Sequence, residues 1–252
     1  MGTSAVHDVE SELNVRDTDP AIVIDLYLSY RAVKDWNGMV DLVSRMSPIV
    51  ARTVLVREQL GFALNRLGKR DEAEEVLVGL IDERGPSSET NGILGRVYKD
   101  QWEAAKSAGD HALSEGYLRK AIDTYLRGFE SDWRDAYPGV NAATLMEVRA
   151  PDDPRQAEIL PVVEYSVNRR LAHKAPDYWD HATRLEIAVL RNETDKARTS
   201  LEDALSSIRE RWEPETTARN LRLIREARDA RGIQTEWVAE LEDRLSAAAK
   251  RK

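Results

Sequence analysis

The sequence predicts an all-α protein, a helical-repeat solenoid of about twelve helices. Apolar residues recur at intervals of three and four through most of the chain, and no stretch combines strict alternation with hairpin turns. Helix-start signals and glycines follow one another at short intervals, so successive helices are expected to be antiparallel neighbours. A sequence pattern also recurs after about one helix pair, which is typical of a repeat protein.

The composition narrows the classes of function. The chain has 252 residues and a formal net charge of -8, and an acidic protein repels the phosphate backbone of nucleic acids. The absence of cysteine excludes disulfides and thiolate catalysis, and it fits a reducing compartment. No apolar run approaches the roughly 20 residues of a membrane span, and the N-terminus lacks a secretory signal. We therefore expect a cytoplasmic protein that binds neither membrane nor nucleic acid.

Three Asp-Pro or Glu-Pro pairs, at 19–20, 153–154 and 213–214, mark helix starts, because proline loses nothing at the first helical position. These signals divide the chain into a flexible N-terminus (1–18), a repeat array (19–232) and a C-terminal capping helix (233–252). The predicted helices are 20–34, 37–46, 50–67, 70–84, 88–108, 111–130, 139–148, 154–173, 177–191, 194–211, 214–230 and 234–250.

The repeat is visible in two Leu-Gly pairs. Leu60-Gly61 and Leu94-Gly95 are 34 positions apart, and each pair is followed three residues later by Leu or Tyr. Downstream of the first pair stand Ala73 and Pro86, at nearly the places where the tetratricopeptide pattern has Ala and Pro. We expect Gly61 and Gly95 to let the second helix of each pair approach closely, with Ala73 meeting Gly61.

The repeat continues less regularly. The second helix of the Gly95 unit comes late, so the segment 101–118 is expected to be extra helix that lengthens both arms. A further unit fits after a slip of about half a turn. It has Trp179 and Thr183 on its first helix and Ala197, Leu201 and Ala204 on its second.

Two stretches resemble a particular family. The first is Ser131-Asp-Trp133-Arg-Asp-Ala-Tyr137-Pro138-Gly139-Val-Asn141-Ala-Ala-Thr144-Leu145, and the second joins Asp177-Tyr-Trp179-Asp-His-Ala-Thr183 with Trp212 and the segment 216–224. Over roughly residues 50–230 the chain is similar to the TRAFs-binding domain, the helical central regulatory region of the apoptosis signal-regulating kinases, which also occurs in bacterial proteins. The resemblance implies a tetratricopeptide scaffold for signalling partners. Because the chain has no kinase signature and no room for a kinase or Toll/interleukin-receptor domain, the adaptor part alone is implied.

The residue patterns predict no catalytic, cofactor-binding or metal-binding site. His173 and His181 lack the spacing of a helical zinc pair, and His7 and His111 are isolated. No glycine pattern matches a phosphate-binding loop, and no serine lies in a nucleophile elbow. Asp152 and Asp153 are interpreted as an N-cap, and Tyr137-Pro138-Gly139 as a tight turn whose following helix is capped by Asn141.

Four of the six tryptophans have predicted roles. We expect Trp133, Trp179 and Trp212 to be core wedges rather than ligand platforms. Trp237 lies on the last helix in a stripe with Val238, Leu241 and Leu245. That stripe either caps the solenoid or, if exposed, docks on a second copy.

The predicted partner-binding face lies on the first helices of the repeats. Its candidate residues are Glu58, Phe62, Asn65, Arg66, Arg96 and Lys99, with Trp237 as a second surface. Because Arg66, Arg96 and Lys99 form a cationic group on an acidic protein, we expect an acidic protein segment or peptide as the partner. An ordinary solvated helix face is an equally good interpretation of the same pattern.

The favoured function is a non-catalytic protein-protein interaction scaffold or regulatory adaptor in signalling, with bacterial stress or defence as one setting, acting as a monomer or weak homodimer. One alternative is a helical-repeat hydrolase or transferase with a carboxylate-lined cavity. A lesser option, raised only by the company that the resembled family keeps, is an accessory to nucleotide or cyclic-oligonucleotide sensing in bacterial defence.

Overall fold

The computed structural model describes residues 2–149, 153–173 and 176–251, and within these ranges the chain is all helical, with fourteen helices and no strand. The all-α prediction is therefore confirmed, with two helices more than the twelve expected. The helices are α1 Thr3–Ser11, α2 Pro20–Ala32, α3 Trp36–Arg45, α4 Pro48–Ala51, α5 Val54–Arg66, α6 Arg70–Arg84, α7 Ser88–Ser107, α8 His111–Ser131, α9 Ala136–Arg149, α10 Pro154–His173, α11 Tyr178–Leu190, α12 Thr194–Ser206, α13 Trp212–Asp229 and α14 Glu236–Arg251.

The helices form two compact units, Met1–Tyr117 and Leu118–Lys252, where the sequence predicts one array over 19–232. The boundary falls within α8, at a position that no composition shift or proline marks. A helix that continues across a boundary carries no local signal, which is why the sequence pattern misses the division.

The N-terminal segment is ordered as a helix, so the prediction of a flexible stretch over 1–18 is wrong for Thr3–Ser11. Val6 of α1 is buried, and the hydroxyl of Tyr30 on α2 donates to the carboxylate of Glu10. The same carboxylate pairs with Arg45 of α3. A helix this short has little stability of its own, so only these contacts with α2 and α3 make it form.

Helices α5 and α6 form a close antiparallel pair around Gly61. A Cβ atom added to Gly61 would lie 2.6 Å from Cγ of Leu77, so the small residue does permit the close approach that the repeat pattern predicts. The residue that meets Gly61 is Leu77, one turn beyond the expected Ala73, although Ala73 is itself fully buried. The predicted single helix over 50–67 is instead two, because the Thr53 hydroxyl accepts from the N–H of Val56 and starts α5 anew.

The second unit contains the pairs α9/α10, α11/α12 and α13/α14. Ala197, Leu201 and Ala204 are buried on α12 as expected, whereas on α11 Thr183 is only half-buried and the neighbouring Ala182 is buried. On α14 the stripe of Val238, Leu241 and Leu245 is buried in the core of this unit, so it is not exposed for docking on a second copy. Trp237 packs against the same core.

The Tyr137-Pro138-Gly139 element is helical, which corrects the predicted tight turn. It lies in the first turn of α9, where the carboxylate of Asp135 accepts from the N–H of Tyr137 at 3.1 Å. Asn141 does not cap this helix, since its side-chain amide donates to the carbonyl of Tyr137 within it. Gly139 is required by packing, because a Cβ there would lie 2.5 Å from Val163 of α10.

Asp153 accepts from the N–H of Arg155 at the start of α10 as an N-cap does, and Asp152 lies outside the described residues.

Candidate protein-binding face

The predicted face lies on α5 and α7, which pack side by side in the first unit. Two of its members are not available to a partner. The carboxylate of Glu58 is buried and accepts a 2.6 Å hydrogen bond from the Thr90 hydroxyl. Lys99 is only 1% exposed, so its expected exposure is wrong. Eleven of the twenty residues of α7 are buried, because neighbouring elements cover more than one side of this helix, and it has no broad solvated face.

Arg96 and Asn65 are both directed onto Asp100. Nε of Arg96 lies 2.9 Å from one carboxylate oxygen, and Nδ2 of Asn65 donates to the other at 2.8 Å. Asp100 is not among the residues of the predicted face, although it stands four residues after Arg96, the usual spacing of a helical ion pair. Much of the positive charge predicted at Arg96 is therefore compensated.

Arg66 is exposed and belongs to a cluster that the sequence does not reveal. Its guanidinium lies 5.0 Å from the ring centroid of Phe62, and the guanidinium of Arg31 lies 4.9 Å from the same centroid. Trp36 contacts Phe62 edge-on, with ring centroids 5.6 Å apart. We call Arg31, Phe62, Arg66 and Trp36 the arginine cluster. Ring stacking orients each planar guanidinium, and a guanidinium is the side chain whose shape matches carboxylate and phosphate.

The arginine cluster joins the ends of two helices. Arg31 is in the last turn of α2 and Arg66 in the last turn of α5, where the helix dipole favours cations. Both arginines are exposed, and Phe62 and Trp36 are half-buried. Arg31 and Arg66 each lie in the last turn of a helix, at positions separated by about one repeat length. Aligning the C-terminal ends of these helices in the sequence could have predicted that the two arginines lie together.

The remaining candidates lie elsewhere. Trp237 belongs to the second unit and is half-buried against its core. Trp133 is 64% exposed and Trp212 is also exposed, so neither is the core wedge that the sequence predicts. Trp179 is half-buried, with its ring 5.4 Å from that of Trp212.

Two polar side chains outside the face, His7 and Tyr98, form hydrogen bonds with other helical segments. His7 bonds Asp35 at 2.9 Å and the Tyr30 hydroxyl at 3.0 Å, and the side chain of His173 lies outside the described part. Tyr98, the aromatic residue of the second repeat motif, donates to Glu74 at 2.8 Å, and its burial raises the pKa of the phenol well above its ordinary value.

Among the described residues, no group of three or more His, Cys, Asp or Glu side chains is arranged to hold a metal ion. None of their helices has both the length and the apolar character that a bilayer crossing requires.

The helix pairs, with small residues at their contacts, place the chain in the class of tetratricopeptide-like helical-repeat proteins. A thermophilic tetratricopeptide protein from Thermus thermophilus has a similar fold, with a TM-score of 0.56 at 15% identity over 81% of this chain and 99% of its own. A human IFIT1 dimer with PPP-AAAA has the same TM-score, 0.56, at 15% identity over 92% of this chain and 55% of its own. The model of the MAP3K TRAFs-binding domain matches residues 3–241, and the chain belongs to this family.

Curated relatives are much longer proteins. The mitogen-activated protein kinase kinase kinase nsy-1 of Caenorhabditis elegans is 30% identical over 81% of this chain, and mitogen-activated protein kinase kinase kinase 15 of Mus musculus is 27% identical over 84%. The chain spans only 15% and 16% of these two relatives. The kinase activity in their names belongs to those whole proteins, whereas the matched family is described as a binding domain. Family and fold together indicate a protein-interaction regulatory module.

Proposed function

We propose that this chain is a non-catalytic, cytoplasmic adaptor that regulates a signalling partner by binding an acidic segment of it. The family description names TRAFs as the bound proteins, and we carry over to this chain the binding of a protein, not that particular partner. In this proposal the chain acts as a monomer or weak homodimer. Bacterial stress or defence signalling is one setting that fits such an adaptor.

The observation that carries the proposal is the arginine cluster. Two exposed guanidiniums are held within 5.0 Å of one ring centroid, on a chain whose net charge is -8. A pair of oriented guanidiniums attracts carboxylates and can bind them in a bidentate manner. The cluster replaces the predicted group of Arg66, Arg96 and Lys99, of which only Arg66 is exposed.

The direct test measures binding of a fluorescein-labelled, glutamate-rich peptide by fluorescence anisotropy. The wild-type protein should bind this peptide, more weakly as salt rises, and should not bind a lysine-rich peptide that has no apolar residues. The double variant Arg31→Glu/Arg66→Glu should lose about tenfold or more in affinity. The variant Arg31→Lys/Arg66→Lys keeps the charge but not the planar stack, so its affinity for the peptide should lie between those of the wild type and the glutamate variant.

The matched control is Arg119→Glu/Arg127→Glu. Both arginines are exposed on α8, and the charge change is identical. This control should bind the acidic peptide nearly as well as the wild type. Equal losses in the two double variants would mean that net charge alone attracts the peptide, and the arginine cluster would then not be the site. Full capture of protein partners from source-cell extract by the Arg31/Arg66 variant would reject the adaptor proposal at this face.

A further inference from the structure

A groove on the first unit lies between α3 and α6, with α5 as its floor. It encloses about 520 Å³. Val40 and Val43 of α3 line one wall, Leu60 and Leu64 of α5 the floor, and Val76 of α6 the other wall. Both α3 and α6 pack on α5, so the groove follows the course of two helices. The arginine cluster does not line this groove.

The spacing of the lining residues fits a helix. On α3 the wall consists of positions 40, 43 and 44, and on α6 of positions 72, 75 and 76, so each wall repeats at three and four residues. Such rows form ridges, and the space between two ridges accepts the side chains of a third helix. An amphipathic helix burying one apolar row is therefore the shape that this groove accommodates.

Arg57, the cationic residue in the groove lining, is already paired with a carboxylate. Arg57 lies across Gly79, and its guanidinium binds Glu83 at 2.6 Å and the carbonyl of Val76 at 3.5 Å. A Cβ on Gly79 would lie 3.3 Å from this guanidinium, so the glycine gives Arg57 its path along α6.

The rim carries negative charge without equal compensation. Glu75 is exposed, and no ion pair or hydrogen bond of its side chain is found within the described ranges. Glu72 faces Lys69 at 3.3 Å, but both side chains are about half exposed, and a surface pair of this kind is weak. An occupant of the groove therefore meets apolar walls and a net negative edge.

We propose that the groove of α3, α5 and α6 binds a basic amphipathic helix of a partner protein. Apolar side chains at helical spacing would enter between Val43 and Val76, while a flanking lysine or arginine would pair with Glu75 and Glu72. Charge complementarity selects this occupant over an acidic or neutral helix. This surface is separate from the arginine cluster, so each of the two proposals can fail without the other.

The test uses two synthetic peptides with leucines at helical spacing, one flanked by lysines and the other by glutamates. To remove binding at the arginine cluster, every protein in this comparison also carries Arg31→Ala/Arg66→Ala. The protein with an unchanged groove should bind the lysine peptide about tenfold or more tightly than the glutamate peptide, measured by calorimetry at physiological salt. The variant Glu72→Lys/Glu75→Lys should reverse that preference. The charge-matched control Asp8→Lys/Asp25→Lys changes exposed residues of α1 and α2 that do not line the groove, and it should keep the preference.

A blocking variant locates the binding site independently of charge. Ser44 is exposed on the α3 wall, and its hydroxyl donates to the carbonyl of Asp41 in the same helix, so Ser44→Trp fills the groove and the hydrogen bond that it removes lies within α3. Ser44→Trp should abolish binding of the lysine peptide. In a protein that retains Arg31 and Arg66, it should leave binding of the glutamate-rich peptide to the arginine cluster unchanged. Equal binding of both leucine peptides, or undiminished binding to Ser44→Trp, would overturn the proposal.

Discussion

Gly61 of α5 and Leu77 of α6 are in such close contact that a Cβ on Gly61 would stand 2.6 Å from the branching carbon of Leu77. Gly61→Leu should therefore force α5 and α6 apart and lower the free energy of unfolding by about 1–3 kcal/mol or more. Urea unfolding followed by circular dichroism measures this loss. We expect Gly95→Leu, at a buried position of α7, to behave in the same way.

Gly116 provides the control for this substitution. It lies within α8, and a Cβ there would meet nothing within 4 Å. Gly116→Ala should keep or raise stability, by up to about 1 kcal/mol, because alanine has less conformational freedom to lose on folding. If Gly61→Leu unfolds together with the wild type, the packing role assigned to the Leu-Gly pair is wrong.

Arg228 of α13 caps the end of α11 from within the second unit. Its side chain is 4% exposed, its Nε binds Glu147 at 2.8 Å, and its other nitrogens donate to the carbonyls of Val189 and Leu190. Arg228→Met should cost about 3–5 kcal/mol, because it leaves a buried carboxylate with one partner fewer and removes one hydrogen bond from each of the two carbonyls. Denaturant midpoints give this value.

The comparison for Arg228 is Arg198→Met. Arg198 is 53% exposed and reaches Asp195 only at 3.9 Å. Removing this surface pair should change stability by no more than about 0.5 kcal/mol. Similar losses at the two positions would show that the Arg228 network contributes nothing beyond an ordinary surface ion pair.

Truncation to alanine should destabilise the protein strongly at one tryptophan and hardly at all at another. Trp102 of α7 is 3% exposed, and Trp102→Ala should cost about 3–5 kcal/mol through the cavity it leaves. Trp133 is 64% exposed, and Trp133→Ala should stay within about 0.5 kcal/mol of the wild type. Thermal unfolding tests both, and acrylamide should quench the fluorescence of Trp133 far more than that of Trp102. A large loss on Trp133→Ala would restore the core role that the sequence predicts.

Asp153 makes stability depend on acid pH. Hydrogen bonds from the Arg155 side chain, at 3.0 Å and 2.7 Å, hold the pKa of the Asp153 carboxyl below its ordinary value. The resulting stabilisation is complete above the unfolded-state pKa of about 3.9 and is lost as the pH falls through the lower folded-state pKa. Asp153→Asn should therefore be less stable than the wild type at pH 7 and approach it at strongly acid pH.

Urea midpoints at neutral and acid pH test this dependence. The control is Asp41→Asn, which changes an exposed carboxylate of α3 that has no hydrogen bond or ion pair with another described side chain. The difference in urea midpoint between Asp41→Asn and the wild type should be the same at every pH. A constant difference between Asp153→Asn and the wild type across the acid range would contradict the role of the Asp153 ionisation.

The candidate site was only partly predictable. Helical register predicts that the Arg66 side chain is exposed, and in the structure it is exposed. The same register gives no sign that Lys99 is covered, or that Asp100 takes up both Arg96 and Asn65. Burial of a helix face depends on elements that arrive from elsewhere in the chain, and a single-helix pattern does not contain them.

The sequence by itself determined the all-α class, most helix positions and the family motif, because apolar periodicity, N-caps and Leu-Gly contacts are properties of neighbouring residues. Tertiary structure alone decided that Arg31 and Arg66 share the ring of Phe62, that Trp133 faces solvent, and that α1 is ordered. Each of these depends on contacts between separate helices. Such contacts form only when the repeats pack, since side chains distant in sequence then compete for the same buried surface.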